Sequence, residues 1–310
     1  ASGPLPRRRA GCQGAAPARP LGARALPVRA FASGKDSDGN FPNSWTEPEG
    51  LLEWAQEQEA QEDANISKGK EEDAKFGREM GERNRLWRQR ITKEEPGFFD
   101  TIASGQSPST LWIGCSDSRV APENLVYSKP GEIFVHRNIA NMVISTDTNL
   151  RSVIHYAVFY LKVKHIVVCG HYDCGGVRAS TTKYEYGAPL DSWLTNIRDV
   201  SRLHAEELSA IIDDGEKLKK LVELNVTEQC LNLFKTADVQ KRRAETNKDG
   251  GCCFPRIHGM VFSPEDGVLK RLDVDFSFHM KKMKHIYNLY EENADRGMWA
   301  SYHGAVDDMI

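Results

Sequence analysis

Two short runs carry the side chains from which a reactive metal centre can be built: Cys115-Ser116-Asp117-Ser118-Arg119 and His171-Tyr172-Asp173-Cys174-Gly175-Gly176. Zinc favours this mixture of thiolate and imidazole, with carboxylate nearby. Cys115, His171 and Cys174 supply three ligands, and three protein ligands leave a fourth position for water or substrate, as catalytic zinc requires. The His-x-x-Cys spacing suits a loop entering a helix. Two thiolates cancel the ion's charge, so it acidifies water less than a three-imidazole site does. Asp117 and Arg119 can compensate. The carboxylate can accept a hydrogen bond and aim an oxygen lone pair, while the planar guanidinium grips it with two N–H groups and keeps it ionised. Alternatively, Asp117 swings onto the metal and closes the fourth position.

The same residues admit a quieter reading. Cys115 and Cys174 can be inert buried thiols, His171 a hydrogen-bonded core residue, and Asp117–Arg119 a plain ion pair. The vicinal Cys252 and Cys253 lie in a Gly-rich loop and read as free thiols, Cys169 as a strand residue facing the core, and His136 and His155 as structural.

Both clusters directly follow apolar runs, Leu111 to Gly114 and Ile166 to Gly170. Further short runs, at Ile133 to Val135 and Gly259 to Phe262, alternate with helical spacing at Leu150 to Leu161, Trp193 to Ile212 and Lys217 to Phe234. Strands alternating with helices predict an α/β fold, a central and mostly parallel β-sheet flanked by helices. The turn Asp266-Gly267 before Val268 to Phe276 adds an antiparallel edge strand. Ligand sites in such sheets lie beyond the carboxyl ends of strands where the strand order reverses. If the strands before Cys115 and His171 are neighbours, the clusters share one crevice.

The 310 residues carry a net charge of −3, which gives no reason to expect nucleic acid as a partner. No apolar run reaches the roughly 20 residues that span a bilayer. Seven cysteines, an odd and sparse set, fit free thiols in a reducing compartment better than a disulfide framework. Residues 1–34 hold Arg7, Arg8, Arg9, Arg19, Arg24 and Arg29 with no acid, a transit-like basic segment. The compartment expected is therefore organellar, mitochondrial matrix or chloroplast stroma. Residues 35–75 read as a linker and an acidic arm able to form a helix, residues 76–280 as the packed domain, and residues 281–310 as a tail in which Met283, Ile286, Tyr287, Leu289 and Tyr290 suit a docking helix.

Taken together, the residues resemble the β-class carbonic anhydrases, most closely the bacterial-type branch. The resemblance rests on Cys-x-Asp-x-Arg, His-x-x-Cys, Gly105-Gln106-Ser107-Pro108, Val135-His136-Arg137-Asn138, Glu223-Leu224-Asn225-Val226 and Ile257-His258-Gly259, and covers about residues 84–276. It implies zinc-dependent reversible hydration of carbon dioxide to bicarbonate and a proton, with one Zn2+ per subunit on Cys115, His171 and Cys174 and a catalytic dyad of Asp117 and Arg119. It places Gln106, Phe134 and Tyr156 in the lining of the carbon dioxide pocket, partly from the neighbouring subunit, and the Gly175 N–H where it offers the substrate a hydrogen bond. It also implies a homodimer or homotetramer, with N-terminal helices over the partner. Some members of that branch bind a regulatory bicarbonate at a Trp, an Arg and a Tyr. Trp112 and Arg137 match two of these, but Phe262 stands at the Tyr position without a hydroxyl, so weakened bicarbonate inhibition is expected. Other readings on the same site are a carbon disulfide hydrolase and a catalytically silent zinc-binding or assembly subunit.

Overall fold

In a computed structural model of the chain, residues 51–248, 252–287 and 289 are described. The transit-like segment, the linker with the first residues of the acidic arm, and the tail beyond Leu289 lie outside the described residues. The chain divides into two units, residues 1–87 and 88–310.

Helix α1 (Leu51–Glu94) accounts for the described part of the first unit and continues into the second. Its Glu, Gln, Lys, Arg and Ala residues favour helix, and no proline interrupts them before Pro96. The acidic arm and the segment from Phe76 are therefore one uninterrupted helix. It ends where Pro96 lacks an N–H and Gly97 turns the chain at φ 88°.

The second unit follows the order α2 (Phe98–Ala103), β1 (Thr110–Cys115), α3 (Pro122–Leu125), β2 (Ile133–Asn138), α4 (Thr148–His155), β3 (His165–His171), α5 (Gly175–Ser180), α6 (Ala188–Leu203), α7 (Ala205–Ser209), α8 (Asp214–Phe234), α9 (Ala237–Asn247), β4 (Arg256–Phe262), β5 (Leu269–Leu272) and α10 (Phe276–Met283). Among the described residues, five strands form one sheet in the order β2-β1-β3-β4-β5. The first four run parallel and β5 is antiparallel, as the turn at Asp266-Gly267 predicts. The chain leaves β1 for β2 on one side and returns to β3 on the other. The strand order thus reverses at β1, and the ends of β1 and β3 flank one crevice.

Side chains alternate across the strands. Leu111 and Ile113 join the main core with Ile166, Val168, Ile257 and the helices; Trp112, Val167, Cys169 and Phe262 form a smaller cluster on the other face. Burial pushes the Cys169 thiol up to about 12, consistent with an inert thiol. Helix α8 lies against the sheet at Gly170, where an added Cβ would come within 2.6 Å of Val226 Cγ2. Phe276 is buried, and Met280, Met283 and Leu289 pack on the main core.

Some local expectations are corrected. The run Leu150 to Leu161 divides into α4 and a wider π-type turn over Tyr156–Tyr160. Trp193 to Ile212 divides at His204, which leaves helical geometry (φ −112°, ψ 27°) and meets Glu228 Oε1 at 3.0 Å. Helix α9 has no apolar period because two of its buried residues are polar, Gln240 and Arg243. Arg243 donates to the Pro255 carbonyl at 2.6 Å.

At the other end of the strands, His165 Nδ1 and His258 Nε2 lie 3.1 Å apart. Burial, then the neighbouring His165, Arg271 and Arg256, lower His258 to about 4 from 6.5. The unfolded chain binds this proton at higher pH than the folded one, so the contribution is complete above about 6.5 and is lost as pH falls toward about 4. His258 should account for at most about 3 kcal/mol of acid sensitivity. Urea midpoints measured between pH 4 and 8 should fall with acid less steeply in His258→Gln than in the parent; equal slopes would contradict this.

Candidate metal centre

Cys115 is the last residue of β1, and the ladder continues one step beyond it, with Ser116 N–H donating to Asn138 O at 2.9 Å. Arg137 on the adjacent strand straps this turn. Its Nε donates to the Cys115 carbonyl at 2.8 Å and its Nη2 to the Asp117 carbonyl at 2.5 Å. Asn138 holds the next turn from both sides, accepting from Met142 N–H at 2.7 Å and donating to Met142 O at 2.8 Å. That turn packs under α5, where a Cβ on Gly176 would meet Ile139 Cγ2 at 2.7 Å.

His171 ends β3 and Cys174 caps α5. Between them Asp173 takes a left-handed conformation (φ 56°), which folds the chain back so that both side chains converge. The ligand atoms of Cys115, His171 and Cys174 lie within 4.8 Å of one another and all three residues are buried. The two sulfurs are 3.9 Å apart. That is too far for a disulfide, and close to the roughly 3.8 Å edge of a tetrahedron with Zn–S bonds of about 2.3 Å.

The imidazole's orientation is the more telling sign. His171 Nδ1 lies 2.9 Å from the Tyr172 carbonyl, which can only accept, so Nδ1 carries the proton and Nε2 presents a lone pair. Nε2 is buried without a hydrogen-bond partner. A buried lone pair facing two thiols is satisfied by a cation. The three groups also act on one another electrostatically. Cys174 and then His171 stabilise the Cys115 thiolate and pull it down, although burial opposes them. The same thiolate, with burial, pushes Cys174 up. Burial alone would lower His171, but the Cys115 thiolate raises it. The donor set is one that a divalent soft-to-borderline ion would complete.

Asp117 sits at the edge of this centre, its Oδ2 3.8 Å from His171 Nε2. Arg119 grips both carboxylate oxygens, Nε to Oδ1 at 3.0 Å and Nη2 to Oδ2 at 2.8 Å. Arg119 N–H adds a bond to Oδ1 at 2.9 Å. The Arg119 side chain, above all, holds Asp117 well below the usual carboxylate range. The Arg119 side chain also reaches Asp173, Nη1 to Oδ2 at 3.4 Å and Nη2 to the carbonyl at 3.4 Å, and Asp173 accepts from Arg178 in turn. Asp173 is a member of the charged cluster that sequence reasoning missed. Its only signal was its place between two ligands, as a residue type that tolerates the left-handed turn.

The remaining predicted residues are placed as follows. Gly175 is the first residue of α5, so its N–H has no acceptor within the helix. Phe134 on β2 and Tyr156 lie together, ring centroids 5.8 Å apart, and Tyr156 stacks on Tyr160 at 5.4 Å. Gln106 is exposed in the loop before β1. Trp112 is buried in the small cluster with Phe262, its Nε1 without a hydrogen-bond partner. His155 meets Asp238 Oδ2 at 3.2 Å.

Residues 110–269 match the model of a family described as carbonic anhydrase. A carbonic anhydrase of Emericella nidulans is 52% identical over 208 residues, which cover 67% of this chain and 88% of that protein. One of two tetrameric β-carbonic anhydrases solved from Sordaria macrospora superposes with a TM-score of 0.58 at 39% identity, over 63% of this chain and 95% of that one. A β-carbonic anhydrase of Aspergillus fumigatus gives a TM-score of 0.61 at 33% identity, over 69% of this chain and 99% of that one.

Proposed function

This chain belongs to the β-carbonic anhydrase family, and from that membership we propose that it hydrates carbon dioxide reversibly at the Cys115–His171–Cys174 centre. The observation that carries the reading is the buried, unpartnered Nε2 of His171 facing two thiols beside the Asp117–Arg119 pair. Those three residues would hold Zn2+, which supplies Lewis acidity and makes water a stronger acid.

The chain's own residues then position the reactants. Asp117, with Arg119 on both oxygens, is an acceptor rather than a proton carrier. It takes a hydrogen bond from the attacking oxygen and turns a lone pair toward the carbon. The proton released leaves by another route. The Gly175 N–H, at the first position of α5, has no acceptor within the helix and can donate to a substrate oxygen. Following the resemblance, Phe134, Tyr156 and Gln106, partly from the neighbouring subunit, would line an apolar pocket suited to a linear, uncharged molecule, with Gln106 marking one of its oxygens; within one chain Phe134 pairs with Leu111, at the other end of the strand from Cys115. Zinc analysis together with both substrates offered to the loaded chain tests the reading. One zinc per chain with carbon dioxide turnover supports it, whereas turnover of carbon disulfide alone, or of neither, removes it.

The wider organisation is proposed on physical grounds. Strand β2 is an edge strand, and Tyr156 and Tyr160 beside it are 44% and 68% exposed, which supports a homodimer or homotetramer. The basic composition of residues 1–34 supports import into an organelle, mitochondrion or chloroplast. The catalytic domain then spans residues 76–280, after the acidic arm and before the tail. No helix among the described residues is long and apolar enough to cross a membrane.

Regulation by a second bicarbonate is expected to be weak. Arg137 is committed to the carbonyls of Cys115 and Asp117, and Phe262 offers Trp112 no hydroxyl. Hydration rates at low pH should change little on adding bicarbonate, and Phe262→Tyr should increase inhibition. Strong inhibition of the parent chain would contradict this.

A further inference from the structure

Tyr172, the residue after one candidate ligand, is fixed at three points. Its N–H donates to Phe262 O at 2.9 Å. Its carbonyl accepts from His171 Nδ1 at 2.9 Å. Its hydroxyl donates to Glu223 Oε1 at 2.7 Å. Lys270 Nζ donates to the same Glu223 oxygen at 2.8 Å. Phe262 ends β4, Glu223 belongs to α8 and Lys270 to β5, so one bonded line runs from the antiparallel hairpin through α8 to the imidazole.

This line has a mechanical task. An imidazole turns about its ring bond unless its second nitrogen is held. The holder here is a carbonyl, and its place depends on the Tyr172 peptide. That peptide enters a turn whose next residue, Asp173, has φ 56°, a conformation that few non-glycine residues adopt unaided. Tyr172 is half-buried against the main core and the Glu223 side chain is only 21% exposed, so the bond between these two is partly screened from water.

We propose that Tyr172, backed by Glu223 and Lys270, is a positioning residue that keeps His171 Nε2 on the metal and governs how slowly the metal leaves. The inference rests on the metal-centre reading above. None of the three touches the ligand atoms with its side chain.

The test uses the full chain loaded with zinc and mixed with excess chromogenic chelator. Tyr172→Phe keeps the ring's packing and removes the hydroxyl. It should release zinc about 10-fold faster, within the range that loss of an outer partner of a metal ligand spans. Lys270→Met, changed at an exposed position, should shift release in the same direction by less, and it decides the matter if Tyr172→Phe does not fold. Loaded with Co2+ instead, Tyr172→Phe should show an altered visible ligand-field band, which a merely structural role would leave unchanged. Release at the parent rate by variants that each bind one zinc overturns the inference alone, even if their metal-free thermal midpoints fall. A parent chain that takes up no zinc overturns the metal-centre reading and this inference with it.

Discussion

Asp117→Asn is expected to keep its zinc and to lose at least about 100-fold in kcat/KM for carbon dioxide hydration. The substitution preserves size but removes the charge that Arg119 grips. An amide presents one N–H2 group toward a guanidinium that also only donates, so the two-toothed pair at 2.8 and 3.0 Å cannot form. The acceptor that aims the attacking oxygen is then misplaced, which costs rate rather than metal. The three proposed ligand residues are untouched. Zinc content by elemental analysis and initial rates by stopped flow separate the two effects. Turnover equal to that of the parent would remove Asp117 from the mechanism.

The complementary result is loss of metal. Cys174→Ser is close to isosteric in a site that is 1% exposed, so the fold should survive. A serine hydroxyl stays protonated where a thiol ionises, and it is a harder and weaker ligand for zinc. Zinc affinity should fall by more than about 100-fold, beyond the span of outer-partner losses, and hydration should drop to background. Equilibrium dialysis against a competing chelator measures the first and stopped flow the second. Retention of one zinc at parental affinity would take Cys174 out of the ligand set.

The donor set of the candidate centre was legible in the sequence because thiol, imidazole and carboxylate are metal-ligand types and each cluster follows a short apolar run. Their meeting was legible only as a condition. That β1 and β3 are neighbours is a non-local pairing, which no spacing within either motif encodes. The same holds for Tyr172, Glu223 and Lys270. They are joined through space over 47 or more residues, and each looks like an ordinary polar residue in its own segment. Local patterning failed where burial and polarity disagree, as in α9, whose Arg243 is buried on backbone carbonyls. It also failed at His204, where the helix breaks without the proline or glycine that usually announces a break. The arm was legible as helix from its composition, but not that it runs unbroken to Glu94, because its apolar residues are too few to mark a face.

The central claim is that Cys115, His171 and Cys174 hold a zinc ion at which the Asp117–Arg119 pair directs carbon dioxide hydration. Stopped-flow hydration of carbon dioxide by the full chain, carrying one zinc per subunit, tests it most directly. The rate should lie far above that of buffer alone, be abolished when the zinc is removed and be restored when it is returned. A buffer-level rate from a folded, zinc-loaded chain would contradict it.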